Sequence, residues 1–247
     1  MRFKVVIPAR YASQRLPGKP LVRIAGQPML AHVYENALAS GADEVVIATD
    51  DERIRRTAEG FGAQACMTSP DHASGTDRIA EAAMQLGWDD KTLIVNLQGD
   101  EPLMPPANIH QVAENLYRYS EAGIATLCTP ILSPEEFLDP NIVKVLRDRH
   151  GFALYFSRAP IPAEREQAGA APVRNAHRHI GLYAYRLAYL KAYLKTPACE
   201  IERLERLEQL RALWRGDKIH VDLAQETPGP GVDTPQDLIV VESLMAR

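Results

Sequence analysis

Arg10, Arg15 and Lys19 set three cations in ten residues, directly after an apolar N-terminal run. The chain around them carries 28 Lys and Arg against 32 Asp and Glu, a net charge of −4. Cations at that spacing suit a polyanion such as a triphosphate, arginine offering a fork of donors and lysine a mobile point charge. Gly18 lets the main chain approach an anion closely. Two common phosphate loops do not match. A Walker A loop would need glycine at position 13 and serine or threonine at 20, where the chain has Ser13 and Pro20, and no Gly-x-Gly-x-x-Gly occurs. On the loop alone, a solvated basic turn is the competing reading.

Two aspartates can answer such cations. Asp100 follows the apolar run 92–97, and Asp233 precedes a capped helix near the C-terminus. Mg²⁺ takes one or two carboxylates and fills its shell with phosphate oxygens and water, so two aspartates at separate strand-end turns can converge on one ion. Turn chemistry accounts for both equally well: Gly99 and Pro102 flank Asp100, and Asp233 can prepare the Thr234 cap. Glu101 need not point the same way as Asp100 and takes no role. Thr76 reads as a helix N-cap in Ser74-Gly75-Thr76-Asp77-Arg78. His179 alternates with apolar neighbours, as a core histidine would. Glu208 lies among Glu and Arg residues, where i,i+4 ion pairs are the ordinary explanation. His177 and Arg178 read as surface residues.

The elements that must position these groups alternate regularly. Apolar strands at 3–8, 44–49, 63–68 and 92–97 are separated by helices at 28–39, 51–59 and 76–86. Strands without polar alternation belong to a parallel sheet covered on both faces, so the fold class is α/β and Rossmann-like, and ligands belong at the carboxyl ends of the strands. After residue 123 the rhythm changes. Strands are expected at 124–129, 142–147, 152–156 and 179–185, with a polar loop at 163–175. An antiparallel insertion at 124–185 is the natural reading, within a single domain spanning 1–247. Helices at 185–194 and 199–214, a strand at 218–224 and a helix at 234–245, with Thr234 as cap and Pro235 in the first turn, complete the chain.

Several segments together resemble the sugar-nucleotide cytidylyltransferases that activate 3-deoxy-manno-octulosonate (Kdo). They are Arg10-x-x-Ser13-x-Arg15-Leu16-Pro17-Gly18-Lys19-x-Leu21, Ser74-Gly75-Thr76-Asp77-Arg78, Gln98-Gly99-Asp100-Glu101-Pro102, Ser157-Arg158, His179-Ile180-Gly181-Leu182-Tyr183, Glu208-Gln209-Leu210-Arg211 and Gly231-Val232-Asp233-Thr234-Pro235. The resemblance runs from residue 5 to residue 238. It implies a nucleotidyltransferase fold and transfer of CMP from CTP to the anomeric hydroxyl of Kdo, for lipopolysaccharide synthesis. Arg10, Arg15 and Lys19 would face the CTP phosphates, with Pro8, Ala9, Ser13, Ser74, Thr76, Arg78 and Asp100 near the nucleotide. Asp100 and Asp233 would hold Mg²⁺, and with Lys19 and Arg10 would carry catalysis. Gln98, Arg158, His179, Tyr183 and Glu208 would receive the acidic sugar, Arg158 meeting its carboxylate. A homodimer through 124–185 is the family expectation.

Rival readings keep the chemistry but change the sugar to a sialic acid or an amino derivative of Kdo, or make the chain a glycosyltransferase, or a binding regulator without chemistry. No Asp-x-Asp motif supports the glycosyltransferase. Composition sets further bounds. The charge balance suits neither nucleic acid nor an anionic membrane surface. No apolar run approaches membrane-spanning length. Cys66, Cys128 and Cys199 are too scattered for a Cys-x-x-Cys metal site and fit reduced thiols in the cytoplasm.

Overall fold

A computed structural model describes residues 1–12, 16–72, 74–163, 165 and 176–246; Ser13, Arg15 and most of the loop at 163–175 lie outside them. The chain opens with β1 (Lys4–Ala9), a 3₁₀ turn at Lys19–Leu21, the short strands β2 (Arg23–Ile24) and β3 (Gln27–Pro28), and helix α1 (Met29–Ala39). There follow β4 (Glu44–Thr49), α2 (Glu52–Gly60), β5 (Gln64–Met67), α3 (Gly75–Gln85), β6 (Leu93–Asn96) and α4 (Pro106–Arg118). The second half holds β7 (Ala122–Pro130), α5 (Pro134–Leu138), β8 (Lys144–Arg147), β9 (Ala153–Ser157), β10 (His177–Arg186) and α6 (Leu187–Tyr193). It closes with α7 (Glu200–Glu205), α8 (Leu210–Trp214), β11 (Lys218–Leu223) and α9 (Pro235–Met245).

The main sheet runs β11-β7-β10-β6-β1-β4-β5. Parallel pairing joins β6, β1, β4 and β5, and also β7 with β11, whereas β10 is antiparallel to both its neighbours. The uniformly apolar strands are explained by the two faces they serve. Val5, Ile7, Val45 and Ile47 pack toward α1, α2 and α4, while Val6, Val46 and Ala48 pack toward α3, α6 and α8. Each fully buried aliphatic side chain of this kind contributes about 1.5–3 kcal/mol, so both layers are held by the sheet between them. Strand order reverses at β1, with β4 on one side and β6 on the other. The crevice of such a sheet lies at the carboxyl ends of the strands at that switch point. Arg10 leaves β1 there, and Gln98 to Asp100 leave β6.

Four features differ from the sequence reading. Residues 124–185 are not set apart, because β7 and β10 lie inside the main sheet and only β8 and β9 form an antiparallel pair off its path. The expected helix at 199–214 is two helices, broken where Arg206 turns left-handed at φ 52°. Helix α3 begins two residues earlier than a Thr76 cap implies: Ser74 is the cap, in a reciprocal capping box with Asp77. Helix α4 was not expected at all. It starts after Pro105 with Pro106 in its first turn, so a proline start is present but the side-chain cap that usually goes with it is absent.

Candidate active site

The cationic end of the crevice is built by close approaches of backbone. Gly18 sits at φ 67°, where a Cβ would also meet the Tyr11 ring at 3.2 Å. Its N–H donates to the Tyr11 carbonyl at 3.1 Å, and its own carbonyl accepts from Leu21 at 2.8 Å. This turn fixes the backbone of Lys19. Across from it, Gly99 lets the end of β6 pass β1, since a Cβ there would stand 3.0 Å from the Pro8 carbonyl oxygen. The Val232 N–H donates to the Asp100 carbonyl at 2.9 Å, drawing the loop of Asp233 against that of Asp100. The Lys19 ammonium therefore donates to Asp100 Oδ2 at 2.6 Å and to Asp233 Oδ1 at 3.0 Å. Burial pulls the Lys19 pKa down, but Asp100 and Asp233 outweigh it, so it lies above the ordinary lysine value. Pro8, Ala9, Arg10, Lys19 and Asp100 line a cleft of about 410 Å³. Arg10 makes no hydrogen bond or ion pair among the described residues and is exposed to that cleft.

Among the described residues no three or more His, Cys, Asp or Glu side chains gather as a metal-binding group. Asp100 and Asp233 form a two-carboxylate set instead. That is the donor set a hard ion uses when phosphate and water supply its other ligands. The ammonium already lodged between them demonstrates that the pair accommodates a cation.

A second cavity of about 330 Å³ shares Arg10, Gly75 and Gln98 with the first. Its walls are polar groups and phenols: Asn96, Gln98, Tyr183, Tyr185 and Glu208 among them. The Thr76 hydroxyl donates to Glu208 Oε2 at 3.1 Å, and Gln98 Nε2 donates to Asn96 Oδ1 at 3.1 Å. Burial raises the Glu208 pKa, with the Thr76 bond pulling against it. The left-handed Arg206 ends α7 and puts Glu208 and Gln209 on the turn that faces this cavity. A third cavity, about 280 Å³, continues from the second through Tyr183 and Gln209 and adds Glu101, Arg178 and His179. His179 Nε2 lies 3.0 Å from the Thr126 hydroxyl. Burial takes its pKa down to about 3, so the imidazole is neutral near pH 7 and acts through hydrogen bonds rather than charge.

Most expected residues thus share one crevice: Pro8, Ala9, Arg10, Lys19 and Asp100 at the cationic end, Ser74, Thr76, Gln98 and Glu208 in the middle, Tyr183 and His179 beyond. Asp233 joins through Lys19. Two expectations need correction. Arg78 is fully buried beneath the crevice, its guanidinium donating to Asp50 Oδ2 at 2.7 Å and to the Thr68 hydroxyl. It pins α3 to the ends of β4 and β5 rather than meeting a ligand. Arg158 donates through Nε to the Glu205 carbonyl at 2.8 Å and through a terminal nitrogen to the Pro140 carbonyl at 3.0 Å. Those bonds tie it to the segment after α5 and to the end of α7, and Arg158 is not among the residues lining the three cavities. Arg178, read from sequence as a surface residue, is exposed and also lines the third cavity. Glu101 was also passed over. Burial, then Asp100, raises its pKa to about 7, with Arg178 opposing. Asn96 and Gln209 lie in or beside segments that carry the family resemblance but have no role assigned from sequence, and Tyr185 carries no sequence signal beyond its place in an apolar run.

Comparison with known proteins covers the whole crevice. A family model described as cytidylyltransferase matches residues 4–219. A protein of Thioalkalivibrio sulfidiphilus named 3-deoxy-manno-octulosonate cytidylyltransferase is 58% identical over 99% of both chains. One of the same name from Pasteurella multocida is 53% identical over 99% of both. The solved structure of CMP:2-keto-3-deoxy-manno-octonic acid synthetase complexed with CTP superposes with a TM-score of 0.91 at 43% identity, covering 100% of this chain and 99% of that one. A cytidylyltransferase from Leptospira borgpetersenii, 20% identical, superposes at 0.64 over 100% of this chain and 87% of its own and so shares the fold.

Proposed function

The chain belongs to the cytidylyltransferase family, and from that premise we propose that it transfers CMP from CTP to the anomeric hydroxyl of Kdo, releasing pyrophosphate and making CMP-Kdo for lipopolysaccharide synthesis. The observation that carries this is the continuity of the crevice: a cationic, two-carboxylate end opens through Gln98 into a hydroxyl-rich end. A triphosphate and a polyhydroxylated acid are thereby brought end to end.

The anomeric hydroxyl oxygen forms a bond to the α-phosphorus and gives up its proton to solvent, while the bond from that phosphorus to the bridging oxygen breaks and pyrophosphate leaves in line, taking that electron pair. Arg10 and Lys19 hold the departing phosphates. Asp100 and Asp233 would hold Mg²⁺, which would neutralise charge on the phosphates. Gln98, Tyr183, His179 and Glu208 orient the sugar, and Arg178 stands where its carboxylate would be met. Most of the rate enhancement then comes from positioning and fixed charge, as in related phosphoryl transfers. We read the molecule as a cytoplasmic homodimer. Supporting this are three buried cysteines outside any disulfide and an edge strand β9 whose Leu154 is 62% exposed. No helix among the described residues is long and apolar enough to cross a membrane.

The test is pyrophosphate release with CTP and Mg²⁺ and either Kdo or N-acetylneuraminate. Release with Kdo and at least tenfold less with N-acetylneuraminate is expected; the reverse preference would move the chain to another acidic sugar.

A further inference from the structure

We propose that Lys19 is the built-in occupant of the cation position between Asp100 and Asp233, and that a triphosphate opens this position to a divalent ion by drawing the ammonium away. The inference rests on the reading of these two aspartates as the metal pair.

One ammonium reaches both carboxylates, at 2.6 and 3.0 Å, with its side chain only 14% exposed against 34% and 49% for theirs. Lys19 is therefore the most sheltered member and occupies the space between the other two. Like charges facing one crevice repel, so a cation between them is favoured. A bare ion entering this protein must displace Lys19 and leave an ammonium without its partners. A nucleotide changes that balance. Lys19 lines the same cleft as Arg10, so phosphate oxygens bound there present themselves to the ammonium. The backbone of Lys19 is fixed by the Gly18 turn while its four-carbon stem is not. The charge can move from carboxylate to phosphate without moving the loop. A lysine suits that transfer, because its charge is a rotatable point; an arginine fork would grip a carboxylate in two places and release it less readily. Ion and nucleotide then favour each other's binding, and the favour is reciprocal. Lys19 acts here as a positioning residue for the ion, besides its contact with phosphate.

The experiment measures Mn²⁺ alone, without nucleotide, by electron paramagnetic resonance on wild type, Lys19→Met, Lys19→Arg and the triple variant Lys19→Met/Asp100→Asn/Asp233→Asn. Circular dichroism first checks that each is folded. Lys19→Met should bind Mn²⁺ at least tenfold more tightly than wild type. Lys19→Arg should bind no more tightly than wild type, and the triple variant should lose the gain. In the same Lys19→Met protein CTP binding should weaken, so that one substitution moves ion and nucleotide in opposite directions. If Lys19→Met binds Mn²⁺ no better than wild type while Asp100→Asn raises the Mg²⁺ needed for turnover, the metal pair stands and the handover is wrong. If Lys19→Arg binds as tightly as Lys19→Met, stem packing rather than charge is at work and the proposal falls. If the gain survives in the triple variant, the ion lies elsewhere and the metal pair falls with it.

Discussion

Replacing Arg78 by methionine should destabilise the protein while leaving CTP recognition nearly intact. The side chain is fully buried, and Asp50, its partner at 2.7 Å, is 17% exposed. Methionine keeps most of the stem volume but leaves the Asp50 carboxylate without its cation. Breaking one side of a buried pair typically costs about 3–5 kcal/mol, because the remaining charge stays desolvated. The Thr68 hydroxyl also loses its donor. For a chain of this length each kcal/mol moves the melting temperature by about 2–4 °C, so a fall of roughly 6–20 °C is expected. Removing both charges should cost less than removing one: Arg78→Met with Asp50→Leu should recover part of the loss. Differential scanning fluorimetry on the three proteins gives the stability term, and KM for CTP at a temperature where all are folded gives the other. A melt within about 2 °C of wild type together with a tenfold rise in KM for CTP would refute this placement and return Arg78 to the nucleotide site.

Three further outcomes are expected. Arg158→Lys should leave KM for Kdo within about threefold of wild type, since that guanidinium serves two carbonyls, whereas Arg178→Ala should raise it tenfold or more, about 1.4 kcal/mol; the opposite ranking would restore Arg158 as the carboxylate partner. Asp100→Asn and Asp233→Asn should each lower kcat more than tenfold with melts near wild type, as both side chains are partly exposed, and turnover retained above a tenth would remove that residue from the metal pair. Glu101 has a folded pKa of about 7 against an ordinary 4.5, so the stability of its neutral form is complete below about pH 4.5 and is lost as pH rises through 7. Glu101→Gln should gain on wild type by several degrees in the melt between pH 5 and pH 8, and a pH-independent difference would contradict a buried Glu101.

The parallel half of the sheet was legible because buried strands and amphipathic helices carry different periods, and because Asp51 and Thr234 cap helices with their own side chains. Helix α4 was not, since Pro105 stands where a capping side chain would and leaves Pro106 in the first turn as its one start signal. The break at Arg206 was hidden as well: a left-handed non-glycine residue carries no mark in composition, yet it is what delivers Glu208 to the cavity. The two arginines were misplaced for a common reason. Strand-end position says that a side chain emerges near the crevice, but its direction depends on which carbonyls or carboxylates reach it first. For Arg78 these are Asp50 and Thr68; for Arg158, Glu205 and Pro140. Asp100 and Asp233 lie 133 residues apart, and it is the backbone bond from Val232 to Asp100, with the Lys19 ammonium bonded to both carboxylates, that brings them together.

The central claim, cytidylyl transfer across the crevice, is tested most directly by following two labels of CTP in parallel reactions with Kdo and Mg²⁺. The account predicts that phosphorus label in the α position leaves with the sugar as CMP-Kdo while label in the γ position leaves as pyrophosphate, one for one, and that neither moves when Kdo is omitted. Label from the α position recovered as free CMP, or γ label found on the sugar, would contradict it.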